Sequence, residues 1–220
     1  MNKIDLSKRI DHTNLKPNAS EESITKTILE AKKYEFRGVC IPLIYVSKAK
    51  EILRNTNIKV ITVIGFPLGY TPTEIKMREA MLAAEYGADE IDIVMNISLF
   101  KSKKYDYVLK DLKTVISAAK LPAKVIIETS YLTKNEIIEA SRIVMSSGAF
   151  CVKTNTGFGS RGVSIEDIKI IKSVVDNKMK IKASGGIRTA KQALDLIQAG
   201  ADILGTSSGV KIIEEIRKIE

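Results

Sequence analysis

Two periods alternate along this chain from end to end. Short β-branched and apolar runs are each followed by a stretch whose apolar residues recur three or four positions apart. The strand-like runs are Ile10–Leu15, Gly38–Pro42, Lys59–Phe66, Glu90–Asn96, Lys124–Thr129, Phe150–Lys153, Lys180–Gly186 and Ile203–Gly209. The helical stretches are Ser20–Tyr34, Tyr45–Arg54, Thr73–Tyr86, Tyr105–Ala119, Lys134–Ser147, Ser164–Val175, Ala190–Ala199 and Val210–Ile219, with a short helix over Asp5–Arg9 before the first strand. Ser20 is placed to cap its helix, with Glu21 and Glu22 in the first turn, while Gly87, Gly148 and Gly200 follow helix ends. Eight strand–helix units without a linker or low-complexity insert predict a parallel sheet covered by helices. We read a single-domain (β/α)8 TIM barrel over residues 1–220 with a short N-terminal helix. The rival, an open doubly wound sheet, calls for a Gly-x-Gly-x-x-Gly turn after the first strand, and none is there.

Composition narrows the chemistry. With 220 residues, 45% of them hydrophobic, the chain can bury one good core, and with 5% aromatics and no Trp that core is aliphatic. The net charge is +9, but the lysines are scattered along helical stretches and form no dense block interleaved with aromatics. A solvated surface explains the charge better than nucleic acid. Cys40 and Cys151 make no disulfide framework and sit in apolar runs, as buried thiols do. The N-terminus has no apolar signal core and no run is long enough to span a membrane, so a soluble, cytoplasmic protein is expected. His12 is the sole histidine, which argues against a histidine metal site or a Ser-His-Asp triad.

Barrel active sites lie at the C-terminal strand ends. Those ends carry Asp11, Cys40, Asp92, Glu128, Lys153 and Lys182. Lys153 closes an apolar run and is followed at once by the turn Thr154-Asn155-Thr156-Gly157. Burial disfavours an ammonium, and a second lysine on the next strand, about 4.8 Å away, repels it. Both effects favour a free amine, a nucleophile suited to carbonyl substrates. Asp92 shares a strand face with Asn96, opposite Ile91, Ile93 and Met95, and is placed to relay protons. Each residue also has a structural reading. Lys153 and Lys182 can snorkel, and Asp92 can be an interior ion-pair partner. Asp11 with His12 is read as a turn and cap, Glu128 as an interior partner and Cys40 as packing. Ser184-Gly185-Gly186 and Gly205-Thr206-Ser207-Ser208-Gly209 end the last two strands, where barrels often bind phosphate. Thr156 and Gly157 are possible further donors.

These segments resemble the deoxyribose-phosphate aldolases, a family of class I, Schiff-base aldolases. The resemblance runs from Ile10-Asp11-His12-Thr13-Asn14-Leu15 almost to the end. It includes Gly38-Val39-Cys40, Gly65-Phe66-Pro67-Leu68-Gly69, Gly87-Ala88-Asp89-Glu90-Ile91-Asp92, Val152-Lys153-Thr154-Asn155-Thr156-Gly157-Phe158 and Lys182-Ala183-Ser184-Gly185-Gly186-Ile187-Arg188. It implies Lys153 as the Schiff-base lysine, Lys182 as the lysine that perturbs it and Asp92 as the proton relay. It also implies phosphate binding by Gly185, Gly186, Gly205, Ser207 and Ser208. Asp11, Cys40, Thr156 and Gly157 are possible substrate or supporting residues. Asn155 stands where serine is common, and Pro42-Leu43 departs from the family pattern. The implied reaction cleaves 2-deoxy-D-ribose 5-phosphate reversibly to D-glyceraldehyde 3-phosphate and acetaldehyde, with no metal and no cofactor. The expected partners are a phosphosugar and further copies of the chain, as a dimer or higher homo-oligomer, with neither nucleic acid nor membrane. Another phosphosugar barrel, an isomerase or a different lyase, is the enzymatic alternative; a basic, non-catalytic barrel is the other.

Overall fold

A strand buried on both faces must satisfy its backbone within the sheet, and closing the sheet leaves no edge exposed. In the computed structural model, which describes residues 6–218, the strands are β1 (Ile10–Thr13), β2 (Gly38–Cys40), β3 (Lys59–Ile64), β4 (Glu90–Val94), β5 (Ala123–Ile126), β6 (Cys151–Lys153), β7 (Lys180–Ser184) and β8 (Ile203–Thr206). Each pairs in parallel with its successor, and β8 returns to β1. That closure confirms the (β/α)8 barrel and excludes the doubly wound sheet. The helices are α1 (Glu21–Lys33), α2 (Val46–Ile52), α3 (Thr73–Glu85), α4 (Ile97–Lys101), α5 (Tyr105–Ala119), α6 (Lys134–Ser146), α7 (Ile165–Val175), α8 (Ala190–Gln198) and α9 (Gly209–Arg217). Short 3-10 turns occupy Leu6–Arg9, Leu43–Tyr45 and Thr129–Tyr131. The expected helix limits at Asp5 and Ile219 lie outside the described residues. Among the described residues, no helix is long and apolar enough to cross a membrane.

Several boundaries differ from the sequence reading, for local reasons. β3 stops at Ile64 because Gly65 turns into the left-handed region, φ 63°. β4 stops at Val94, and Asn96, expected to face the interior with Asp92, instead caps the unanticipated α4 by accepting from the Leu99 N–H at 3.0 Å. Asp11 and His12 do not form a turn and cap. Both lie within β1, and Asp11 pairs in register with Gly38 on one side and Gly205 on the other. The strand expected over Ile10–Leu15 is present and ends at Thr13.

Alternation along the strands sorts the side chains. Val39, Ile91, Val125, Val152, Ile181 and Leu204 join helix residues such as Ile28, Val115 and Ile168 in one large apolar cluster. Inside the barrel a small apolar group, Cys40, Ile61 and Val63 with Leu15 and Phe66, covers one side. Asp11, Asp92, Lys124, Lys153 and Lys182 are buried as well. A further buried lysine works between helices. Lys76 of α3 donates to Asp111 of α5 at 2.9 Å and to the Val94 carbonyl at 3.1 Å, tying both helices to the end of β4.

His12 is buried, with Nε2 2.9 Å from Glu30 of α1 and its ring centroid 5.1 Å from that of Phe36. Burial, the largest influence, pushes its pKa down despite Glu30. A depressed folded-state pKa means the unfolded chain binds the proton first, so this stabilisation is full above the ordinary histidine pKa and fades as pH falls below it. His12→Gln should therefore lose less stability than the parent between about pH 7.5 and pH 5.5, measured by urea unfolding. An equal loss in both proteins would assign the acid sensitivity to carboxylates alone.

Candidate active site

Asp92 is the centre of the barrel's charged interior. Its Oδ2 accepts from Lys153 Nζ at 2.8 Å and from Lys182 Nζ at 2.9 Å, and its Oδ1 accepts from Lys124 Nζ at 2.9 Å. Asp92, Lys124 and Lys182 are fully buried and Lys153 nearly so. Burial works against the Asp92 charge, yet Lys124, Lys153 and Lys182 overcome it and hold its carboxyl well below the usual range. Lys182 Nζ also donates to Asp11 Oδ2 at 2.5 Å. Despite burial, Asp11 and Asp92 raise the Lys182 pKa, so this side chain stays charged. The reading of Lys182 as a snorkelling lysine is thus overturned: two carboxylates take the place of water. The register opposes Lys153 and Lys182 on adjacent strands, as anticipated, but Asp92 stands between their charges.

The network reaches further than the sequence reading did. Lys124 Nζ lies 2.6 Å from Glu90 Oε2, a close ionic contact. Arg37 donates to Asp11 Oδ1 at 2.7 Å and to Glu90 Oε1 at 2.5 Å. Arg37, Asp11, Lys182, Asp92, Lys124 and Glu90 therefore close into a ring of alternating charge. Lys153 hangs from Asp92 outside that ring. The signal for Lys124 and Glu90 was present as charged residues at alternate positions in apolar strands. Nothing local marked Arg37. Two glycines make room for the ring. A Cβ at Gly205 would sit 2.9 Å from Lys182 Cε, and one at Gly38 would sit 3.1 Å from Asp11 Oδ1.

Above the ring, a cavity of about 240 Å³ opens at the C-terminal strand ends. Lys153 lines it, whereas Asp92, Lys182, Asp11 and Cys40 are fully buried and do not. Thr156, Gly157 and Phe158 line it after β6, and Gly185, Gly186, Gly205 and Ser207 line it after β7 and β8. Gly185 and Gly186 both have left-handed backbone, φ 96° and 78°, a conformation that glycine adopts without strain and that brings bare backbone to the cavity. Lys16 and Arg188 add positive charge to the lining. Ser208 does not line the cavity; its N–H is taken by Thr206 Oγ1 at 2.9 Å. Cys40 is fully buried, and burial raises its thiol pKa, which suits packing rather than nucleophilic work. Among the described residues, no group of three His, Cys, Asp or Glu side chains is placed to hold a metal ion.

Glu128 fastens the turn after Lys153. It is buried with left-handed backbone, φ 53°, and its carboxylate accepts from Asn155 Nδ2 at 2.9 Å, Ser130 Oγ at 2.7 Å, and the Thr156 N–H and Oγ1 at 3.0 and 2.5 Å. Asn155 also accepts from Thr129 Oγ1 at 2.9 Å, so its amide bridges two partners. Glu128 is an interior partner, as expected, and its partner is the loop rather than a lysine.

The chain has counterparts among known proteins. A deoxyribose-phosphate aldolase of Thermococcus kodakarensis is 50% identical over 219 residues, covering 97% of this chain and 98% of that one. One from Dictyoglomus turgidum is 47% identical over 219 residues, covering 99% of this chain and all of that one. The structure described as a unique tetrameric deoxyribose-phosphate aldolase from Aeropyrum pernix superposes with a TM-score of 0.90 at 34% identity, covering 98% of this chain and 92% of that one. Residues 7–215 match the DeoC/LacD family of aldolases, and the chain belongs to that family.

Proposed function

We propose that this aldolase reversibly cleaves 2-deoxy-D-ribose 5-phosphate to D-glyceraldehyde 3-phosphate and acetaldehyde through a Schiff base on Lys153. The observation that carries the reading is the position of Lys153. It is the one amine of the buried network that lines the cavity, which the glycine-rich turns after β7 and β8 also line. The open-chain sugar presents its C1 aldehyde to the Lys153 amine and its phosphate to Gly185, Gly186, Gly205 and Ser207. Arg188 and Lys16 supplement the turns electrostatically.

The amine attacks C1, water leaves, and an iminium forms. The C3 hydroxyl then gives up its proton and becomes the aldehyde of glyceraldehyde 3-phosphate. The electron pair of the C2–C3 bond moves into the iminium, leaving a two-carbon enamine on Lys153. Protonation at C2 and addition of water release acetaldehyde and return the free amine. Asp92 touches both Lys153 and the charged Lys182, so a proton can be exchanged beside the reacting carbons without net charge moving far. The charge count supports Lys153 as the nucleophile. Asp11, Glu90 and Asp92 balance Arg37, Lys124 and Lys182, and a protonated Lys153 adds one positive charge to a dry interior. The barrel is read as the chain's one domain. We also infer self-association, because Ile44, Leu68, Tyr70, Ile75 and Tyr107 are more than half exposed.

Acetaldehyde with borohydride should add a two-carbon group irreversibly to the peptide containing Lys153, as read by mass spectrometry. No adduct, or adducts on surface lysines only, would sink the Schiff-base assignment. Lys182→Leu removes a charge from a fully buried position, so the Lys153 proton becomes the replacement counter-charge for Asp11 and Asp92. The pH midpoint of the initial trapping rate should rise; an unchanged or lower midpoint would confine Lys182 to proton transfer. Ser207→Asp sets a carboxylate in the phosphate wall. Its kcat/KM should fall about tenfold or more with the phosphorylated sugar and much less with 2-deoxyribose. Equal losses for both sugars would count against the phosphate site.

A further inference from the structure

The ring of alternating charge passes through the barrel to its other end. Arg37 immediately precedes β2, and its side chain is 19% exposed. It lines a basin on the N-terminal face together with Lys8, Lys32 and Lys59. Its partners there are Asp11 and Glu90, which in turn hold Lys182 and Lys124, the two ring lysines on Asp92. No side chain of the Arg37–Glu90 pair lines the reaction cavity. The pair nevertheless supplies one positive and one negative member of a ring that is neutral without Lys153.

We propose that Arg37 and Glu90 are positioning residues that set, from the opposite end of the barrel, the pH at which the Lys153 amine becomes free to react. The argument rests on the Schiff-base reading of Lys153. In a dry interior the favoured protonation state is the one that leaves least unbalanced charge. With the ring intact, the proton on Lys153 is surplus. Removing Arg37 leaves the ring one cation short, and the Lys153 proton then restores the balance. Removing the Glu90 charge deepens the surplus, and the proton leaves more readily. The titratable groups that Lys153 meets directly are Asp92 of β4 and the Cys40 thiol of β2, and Lys182 of β7 and Lys124 of β5 reach it through Asp92. Arg37 faces Asp11 and Glu90 inside, and Lys8, Lys32, Lys59 and Glu35 across the basin. The exposed lysines are screened by solvent and salt, whereas the ring is not, so the effect should run through the ring.

The test is the pH dependence of the initial rate of borohydride trapping of acetaldehyde at Lys153, read by mass spectrometry. The parent is compared with Arg37→Met, Glu90→Gln, the double variant and Arg37→Lys. Arg37→Met should raise the midpoint by roughly half to one pH unit, and Glu90→Gln should lower it by a similar amount. The double variant should return close to the parent, and Arg37→Lys should stay there because charge rather than fork geometry is kept. A purely structural role would lower rates without moving midpoints in opposite directions. If Arg37→Met does not fold, the nearly isosteric Glu90→Gln still carries the sign. Shifts of the same sign in both single variants, or an unmoved midpoint in Glu90→Gln, would overturn the proposal. Failure of the Schiff-base reading itself would look different: no Lys153 adduct in the parent at any pH.

Discussion

One carboxylate organises the interior of this barrel. Asp92 accepts from three lysines on three different strands, two of them fully buried and the third, Lys153, reaching only the cavity. Desolvating such charges costs several kcal/mol each, and that cost is offset only where partners sit at hydrogen-bond distance. The ring meets this condition through Asp11, Glu90 and Arg37, and the bare backbone at Gly38 and Gly205 gives the long side chains passage. The interior is therefore a polar device enclosed by an aliphatic shell. Its stability and its chemistry draw on the same contacts.

Around that core the cavity divides the work. The β6 side presents the amine and a turn clamped by Glu128, which accepts two hydrogen bonds from Thr156 and one each from Asn155 and Ser130. The β7 and β8 side presents backbone, with Gly185 and Gly186 both at positive φ. A small apolar group of Cys40, Ile61, Val63, Leu15 and Phe66 borders the interior on the side of β2 and β3. Phe66 also meets Phe158 edge to face at 5.4 Å, linking that apolar side to the loop after Lys153.

Much of this was legible in the residue pattern, and the limits have physical causes. Eight alternations of strand-like and helical period specify a barrel because local periodicity reports which face is buried. Lys153, Lys182 and Asp92 were legible because each interrupts an apolar strand. The strand that carries Asp11 was legible, but its role as a turn and cap was misread because its partners, Arg37 and Lys182, are brought to it only by barrel closure. Arg37 and the ring were illegible because closure joins residues distant in sequence, and depth inside a barrel depends on register. Lys182 was placed too near solvent for the same reason. Ser208 carries the look of a phosphate ligand, but its N–H is used within its own turn.

The central claim is that Lys153 reacts while Asp92 and Lys182 keep their places beside it. A crystal structure of the protein after reduction with acetaldehyde and borohydride tests this most directly. The account predicts an ethyl group on Lys153 Nζ, pointing into the cavity, with Lys182 still bound to Asp11 and Asp92. An ethyl group on another lysine, or a Lys182 displaced from both carboxylates, would contradict it.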